Sequence, residues 1–393
     1  MNNSSKVFFP NLEGLRFFAF FVVFIHHASS SLGYNSQSGT FTWIRAHFFK
    51  NGDLGVSFFF VLSGFLITYL LLKEKETTGK IHIPHFYLRR VLRIWPLYFL
   101  VVGLCLFVFP TLGPSLPRWF PIGVSTRAIN PWLYATFTGN FDYLLHGINN
   151  FMIGILWSVS VEEQFYLFWP LIIAFVPSRH LMKAFILIIL GSVAFRFFYA
   201  QGNAMILKYH SLSCMSDLAT GAVIAYFVFG GKMTGWFGKM KKGWIVMVYL
   251  LLLVLIPFRF YTWKFGLYYN HVSSVLPLIF SSIFAFIIME QNYAKNSFYK
   301  VSNFRLISSW GKFTYGMYCY HMILFFAVLL VFSLMGIPLQ GMSKYTFLFI
   351  TGISFFSTIF AAEVSYYYYE SIFLKWKDRF AFVKKDDPSE LKE

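Results

Sequence analysis

Ten stretches of roughly 17 to 25 residues in this chain are apolar almost throughout, each long enough to cross the hydrocarbon core of a bilayer as a helix. They lie near 12–33, 54–72, 94–113, 155–176, 182–200, 211–230, 244–258, 272–290, 313–335 and 345–369. Hydrocarbon contains no water to satisfy backbone N–H and C=O groups, so such segments must be helices that pack on one another. Composition agrees: 57% of the 393 residues are hydrophobic and 12% are charged, about half the charge of a soluble domain. The expected fold is an all-α, polytopic helical bundle in the lipid bilayer with about ten transmembrane helices. It should occupy residues 1–380, followed by a short charged cytoplasmic tail at 381–393. The first apolar segment carries Glu13 and Arg16 and lacks a short apolar core ending in a small-residue cleavage site, so it is expected to be a retained span.

The 33 Lys and Arg outnumber the 16 Asp and Glu, for a net charge of +17. A basic excess can mark a nucleic-acid surface, but here it lies between apolar runs. With the N-terminus inside, 23 of the basic residues fall on the cytoplasmic side and nine outside, with Arg16 within the first span. That asymmetry obeys the positive-inside rule and predicts that both termini are cytoplasmic. The charge is then a record of topology and implies no nucleic-acid partner; a multi-pass location in the inner (cytoplasmic) membrane follows. Cys105, Cys214 and Cys319 are odd in number and lie in apolar stretches, which argues against a disulfide framework. The longest outside segment, 110–155, mixes Pro, Gly, Asn and aromatic residues and is expected to fold into the membrane surface and help to form an outward-facing cavity.

Against this background the polar residues inside the spans stand out. Arg16 and His27 are eleven positions apart, which is three helical turns plus about 20°, and about 16 Å along the axis. They share one helix face at different depths, and an ionisable group at the depth of His27 needs a cavity or a partner. A satisfied core histidine is the bland alternative. His26 points about 80° away from that face, and Glu13 is expected to pair with Arg16. A second cluster, Trp157-Ser158-Val159-Ser160-Val161-Glu162-Glu163-Gln164-Phe165-Tyr166, opens the fourth span. Its adjacent acids point about 100° apart, so one at most faces a given site. It could orient an imidazole or bind sugar hydroxyls; both could equally be cap residues. A third cluster, Phe86 to Tyr98, holds Arg89, Arg90 and Arg93. Arg90 and Arg93 share a face, and guanidinium groups suit phosphate, although basic anchoring at the membrane surface is the ordinary use of such residues. Asp217, Tyr315, Tyr318 and His321 are further intramembrane polar groups. The chain has no G-x-x-x-x-G-K-[ST], H-E-x-x-H, H-x-x-x-x-D or C-x-x-C motif, and its ten His do not cluster. No metal site is expected.

In this order the residues resemble the acyltransferase-3 family of integral membrane acyltransferases, which includes bacterial O-antigen and exopolysaccharide O-acetylases. Leu12-Glu13-Gly14-Leu15-Arg16, followed after ten residues by His27-Ala28, is similar to the family's R-x10-H signature. Gly55 to Phe65 is similar to its F-F-x-L-S-G-F span. Arg90-x-x-Arg93-Ile94 with Pro96 and Tyr98 is similar to R-x-x-R-I-x-P-x-Y, and Trp157 to Tyr166 is similar to W-S-L-S-V-E-x-Q-F-Y. Asp217 with Gly221-Ala222, Thr314-Tyr315 to His321, and Tyr369-Glu370 are weaker matches. Departures are Val159 for Leu, Thr314 for Ser, and Met322-Ile323 after His321 where Trp or Pro often stands, so no role is carried over to His321.

The resemblance implies transfer of an acyl group, usually acetyl, from cytosolic acyl-CoA to a hydroxyl on the outer side. The acceptor would be a carbohydrate: lipopolysaccharide, exopolysaccharide or a lipid-linked glycan. Acetyl-CoA would be a co-substrate, with no bound cofactor. Catalysis is then expected at His27 with polar support from Arg16 and Glu162, and donor phosphates at Arg90 and Arg93 with Arg89 beside them. Ser63, Trp157, Ser160, Gln164, Tyr166, Asp217 and Tyr315 would support the acceptor or the site. A neutral imidazole can take the proton of a poorly nucleophilic sugar hydroxyl, or be acylated itself and pass the group on. Glu162 would hold the His27 tautomer or grip the acceptor, and Arg16, Ser63 or Tyr166 would face the oxyanion. Some relatives carry an additional C-terminal domain; without one, the group is expected to go straight to the acceptor or to a separate protein. The competing readings are a transporter or flippase for lipid-linked sugars, with Arg16, His27 and Glu162 as a relay, and a structural subunit whose polar groups only join helices.

Overall fold

The computed structural model describes residues 9–31, 33–34, 39–112, 129–147, 151–200, 203–231, 233–264 and 271–380. The tail 381–393 and the larger part of the 110–130 stretch lie outside the described residues. The long helices are α1 (Leu12–Ser31), α2 (Gly52–Thr78) and α3 (Ile83–Gly103), the last continued by a wide π-turn to Val108. Two short helices follow, α4 (Pro131–Ala135) and α5 (Gly139–His146). Next come α6 (Trp157–Phe175), α7 (Ser178–Tyr199), the short α8 (Ala204–Tyr209) and α9 (Ser211–Phe229). The chain continues with α10 (Lys242–Lys264), α11 (Val272–Tyr293), α12 (Thr314–Leu334), α13 (Lys344–Ser365) and the short α14 (Ser371–Asp378).

Each of the ten expected spans coincides with one of these helices. Among the described residues, nine helical segments are long and apolar enough to cross a membrane. The tenth, α6, has 19 residues, and Glu162, Glu163 and Gln164 make its first half polar. A belt of large apolar side chains faces outward, including Phe168, Leu187, Val254 and Phe360. A water-soluble surface does not carry such a belt. The only strand pairing among the described residues joins Gly33–Tyr34 to Gln340–Met342 in parallel, tying the end of α1 to the turn before α13.

Apolar helices in lipid gain little from burying one another, so close approach through small residues has to hold them. Here α2 is the centre. A methyl group added to Gly64 would overlap the Leu218 carbonyl oxygen of α9, and one on Gly221 would overlap the Val61 carbonyl of α2. On the other side of α2, Gly55 leaves room for the Ala19 carbonyl and Gly52 for the His26 ring. These contacts set α1 antiparallel to α2, with the end of α1 beside the start of α2. Gly79, at a left-handed φ of 74°, ends α2 by directing its N–H to the Lys75 carbonyl.

Two of the nine basic residues counted on the outside lie within helices. Arg196 of α7 is fully buried and donates to the Ser274 carbonyl at 2.9 Å, to the hydroxyls of Ser192 at 3.1 Å and Ser216 at 2.8 Å, and to the Ser213 carbonyl. It joins α7 to α9 and α11. Arg259 of α10 pairs with Asp53 of α2. The apolar runs continue past both residues; Arg259 has a carboxylate partner, whereas the Arg196 guanidinium is held by neutral carbonyl and hydroxyl oxygens.

The α1–α2–α9 seam yields a stability prediction. Gly64→Ala and Gly221→Ala should each destabilise the folded protein by about 1–3 kcal/mol through overpacking, whereas Gly191→Ala, with no atom near the added methyl, should be neutral or slightly stabilising. Thermal melts of the three variants in detergent test this.

Candidate active site

The regular helix α1 does place Arg16 and His27 on one face about 16 Å apart along the axis. His27 is half-buried, and its Nδ1 lies 2.9 Å from Nε2 of His321 on α12. The other nitrogen of His321, Nδ1, lies 2.7 Å from the Tyr318 carbonyl oxygen. A carbonyl only accepts, so Nδ1 of His321 carries the proton, and in the neutral ring Nε2 is an acceptor. His27 must then donate from Nδ1, which leaves the lone pair of a neutral His27 on Nε2. That nitrogen has no hydrogen-bond partner among the described residues and is not sealed within the protein. His321 itself is fully buried, with Phe20 and Phe24 edge-on to its ring.

Tyr318 anchors this pair to α6. Its hydroxyl donates to the Ile155 carbonyl at 2.9 Å and so receives the Ser158 hydroxyl at 2.6 Å. His26 faces elsewhere, packed on Gly52 at the start of α2.

Glu162 does not reach His27. It accepts hydrogen bonds from Ser63 of α2 and from the Tyr166 hydroxyl, the latter at 2.8 Å. The tautomer-setting role expected of Glu162 therefore belongs to His321. Ser63 and Tyr166 spend their hydroxyl protons on the Glu162 carboxylate, which removes them as oxyanion donors at His27. One helical turn, about 6 Å, separates Glu162 from Ser158, and the shift in depth is the physical reason for the correction.

Around the other end of α1, the three arginines of α3 divide. Arg89 pairs with Glu74, a buried carboxylate at the end of α2, at 2.8 Å and donates to the Phe380 carbonyl at 2.8 Å. It is a tie between α2, α3 and α14, not a member of a phosphate site. Arg90 lies over the rings of Phe86 and Tyr166, 5.7 Å from each centroid, and its Nε is buried with no hydrogen-bond partner. Arg93 makes no hydrogen bond or ion pair with the described residues and lies within electrostatic reach of Arg16, Arg90, Glu370 and Lys377. Arg16 also lies within reach of Glu13, Glu162 and Tyr166. Arg16, Arg90 and Arg93 thus converge on one region without a bidentate carboxylate partner, an arrangement suited to an external anion.

The remaining candidates are chiefly structural. Gln164 donates to the Phe137 carbonyl at 2.8 Å and to Asn140 Oδ1 at 2.9 Å and accepts from Ser211, which fastens α4 and α5 to α6. Tyr315 donates to the Ile94 carbonyl at 2.8 Å, and Ser160 to Leu156 one turn back at 3.2 Å. Trp157 is buried edge-on against Phe60 and Tyr209. Asp217 accepts from Ser57 at 2.6 Å. The described residues include no group of three His, Cys, Asp or Glu that could hold a metal, and all three cysteines are free and buried.

The arrangement pairs a basic imidazole with a separate guanidinium cluster, and the acyltransferase-3 model, described as an acyltransferase domain, matches residues 9–368. The chain belongs to this family. It is 26% identical over 236 residues to the peptidoglycan O-acetyltransferase OatA of Listeria monocytogenes, covering 56% of this chain and 34% of that protein. It is 34% identical over 182 residues to the O-acetyltransferase OatA of Staphylococcus aureus strain NCTC 8325, covering 44% and 26%. A putative O-acetyltransferase of S. aureus strain COL is 35% identical over 172 residues, covering 42% and 25%. The matched stretches span about a quarter to a third of these relatives' own lengths. No solved structure matches the chain significantly.

The division among the arginines is testable by stability alone. Arg89→Ala removes the guanidinium partner of the buried Glu74, leaving it the His82 backbone N–H and imidazole, with an expected cost on the order of 3 kcal/mol. Arg93→Ala relieves repulsion between like charges and should leave the melting temperature unchanged or raised.

Proposed function

We infer that this chain is an integral-membrane O-acetyltransferase that moves an acetyl group from acyl-CoA to a hydroxyl of a cell-wall or other surface glycan. The observation that carries the reading is the chain from the Tyr318 carbonyl through His321 to His27, which leaves an unprotonated Nε2 on a family member's signature histidine. The names of the relatives, O-acetyltransferases and in one case a peptidoglycan O-acetyltransferase, support acetyl as the group and a glycan as the acceptor. The location that fits is the cytoplasmic membrane.

In this scheme the acceptor hydroxyl gives its proton to Nε2 of His27 as its oxygen attacks the thioester carbonyl. The tetrahedral intermediate collapses, the C–S bond breaks, and the leaving thiolate takes the proton back from the imidazolium. The products are an acetyl ester and free CoA. While His27 is charged, its Nδ1–H bond to His321 becomes charge-assisted and shorter. His321 contributes by orienting the ring and holding its tautomer, since it is itself tied to a carbonyl that cannot turn. The guanidinium groups of Arg16, Arg90 and Arg93 would take the phosphates of the donor. The long arm between those phosphates and the thioester suits the separation of about 16 Å between Arg16 and His27. Acylation of His27 at the same Nε2, followed by transfer to the acceptor, uses the same geometry in two steps.

Membrane vesicles given radiolabelled acetyl-CoA and glycan test the reading. His27→Ala should lower transfer by about 100-fold or more with an unchanged melting temperature. His321→Ala should lower the maximal rate without changing half-saturation by acetyl-CoA. Arg90→Ala combined with Arg93→Ala should raise that half-saturation instead. Full activity in His27→Ala would remove the general base from the account.

A further inference from the structure

Helix α14 is held to α3 at both of its ends. Before it, in the wide π-turn Tyr366–Glu370, the Tyr369 hydroxyl donates to the Pro96 carbonyl at 3.1 Å. Just past it, the Phe380 carbonyl accepts from Arg89 at 2.8 Å. Residue 369 thus sits against 96 and residue 380 against 89, so α14 runs antiparallel along α3 with its second half beside the turn that carries Arg90 and Arg93. Phe373, Leu374, Lys377 and Phe380 are half-buried, a spacing that makes one helical stripe facing the bundle.

Lys377 is therefore a lysine turned inward. Its side chain is 22% exposed, and Arg93 and Arg90 both lie within its electrostatic reach. Its neighbours Lys375 and Arg379 are exposed, as cations that anchor a helix at a membrane surface are. A third cation beside two arginines adds repulsion that an anion has to offset, and the protein's own anions do so poorly. Asp378 approaches the Lys377 Nζ at 3.2 Å, but it is 70% exposed and its charge is screened by water. Glu370 lies within reach of Arg93, yet it accepts from Ser365 at 3.3 Å and forms no ion pair with Lys377, Arg90 or Arg93 among the described residues. The buried Nε of Arg90 has no partner. The lysine thus extends the guanidinium cluster on the side away from the membrane interior and leaves it open to a larger anion.

Resting on the O-acetyltransferase reading above, we propose that Lys377 selects the donor, its ammonium taking the phosphomonoester on the ribose of coenzyme A while the guanidinium groups hold the diphosphate. The order of parts in the donor supports this division. From the thioester outward come the pantetheine arm, the diphosphate and then the ribose phosphate. From His27 outward come Arg16 within the first span and Lys377 on the helix that follows the last one, with Arg93 within reach of both. The two kinds of cation also suit the two kinds of phosphate. Planar guanidinium groups match the paired oxygens of a diphosphate, and a compact ammonium on a flexible stem meets a terminal phosphate as a point charge.

The test is isothermal titration of the purified full chain in detergent with coenzyme A and with dephospho-coenzyme A, which lacks the ribose phosphate, while acetyl transfer is measured separately in vesicles. Wild type should bind coenzyme A about tenfold more tightly than the dephospho form. Lys377→Met should lose that preference by weakening coenzyme A alone, Lys377→Arg should keep most of it, and the exposed Lys375→Met should behave as wild type, all with melting temperatures kept. Should Lys377→Met not fold, Lys377→Gln replaces it, and the preference of wild type is a test by itself. No preference in wild type, or the same preference in wild type and the folded Lys377 variant, overturns the role of Lys377 and leaves the enzyme reading standing. Binding of neither ligand overturns the donor role of the arginines together with that of Lys377. The expected binding pattern in a protein that transfers no acetyl group supports the phosphate site and overturns the enzyme reading.

Discussion

A polar group placed in hydrocarbon finds no water to bond with, and every feature of this bundle that bears on function follows from how the chain meets that constraint. Many of its intramembrane polar side chains are engaged by neighbours. Arg196 has four oxygen acceptors on α7, α9 and α11, Glu162 has two hydroxyl donors, and Asp217 has Ser57. Others are not engaged in this way: Nε of Arg90, Nδ1 of His26 and Oε1 of Glu163 are buried without a partner, and Nε2 of His27 and the guanidinium groups of Arg16 and Arg93 make no hydrogen bond with the described residues. In the proposed reading, Nε2 of His27 and the three guanidinium groups are the ones that a reacting hydroxyl or anion would complete.

The backbone that holds them is arranged by close approach. Gly55, Gly64 and Gly221 let α1, α2 and α9 meet backbone to backbone, and that contact sets the depth of everything else. It brings Gly52 to His26, puts Ser63 level with Glu162, and hangs Asp217 beside Ser57. On one side of this seam α12 delivers His321 to His27; at its cytoplasm-assigned end α3 delivers Arg90 and Arg93 toward Arg16. In the proposed reading function is divided along α1, with anion chemistry at Arg16 and proton chemistry at His27, joined by a single helix.

Much of this was legible in the sequence for a definite reason. Arg16 and His27 lie on one helix, so the 3.6-residue period alone gives their shared face and their separation. The ten helices follow from apolar runs, because hydrocarbon leaves the backbone no other choice. What required three dimensions was pairing between helices. His321 lies 294 positions from His27, so its sequence marks it as an intramembrane polar group but nothing local pairs it with His27. Glu162 is expected near His27 because motif order carries no depth, but it bonds Ser63 and Tyr166, one turn along α6 from the Ser158 that meets Tyr318. Arg89, Arg90 and Arg93 look alike in sequence; the buried Glu74 distinguishes the first, and it belongs to a different helix. Nothing in the sequence names the partners of Arg196 and Arg259 for the same reason, since they include residues of other helices.

The central claim is that a backbone carbonyl, acting through His321, leaves His27 with its lone pair on Nε2. The direct measurement is nitrogen-15 magnetic resonance of histidine-labelled protein in lipid at neutral pH, with the His27 signals assigned by their loss in His27→Gln. The account predicts a neutral ring with its proton on Nδ1 and a bare Nε2, and predicts that His321→Ala changes that pattern. A His27 protonated on Nε2, an imidazolium, or a pattern indifferent to His321→Ala would contradict it.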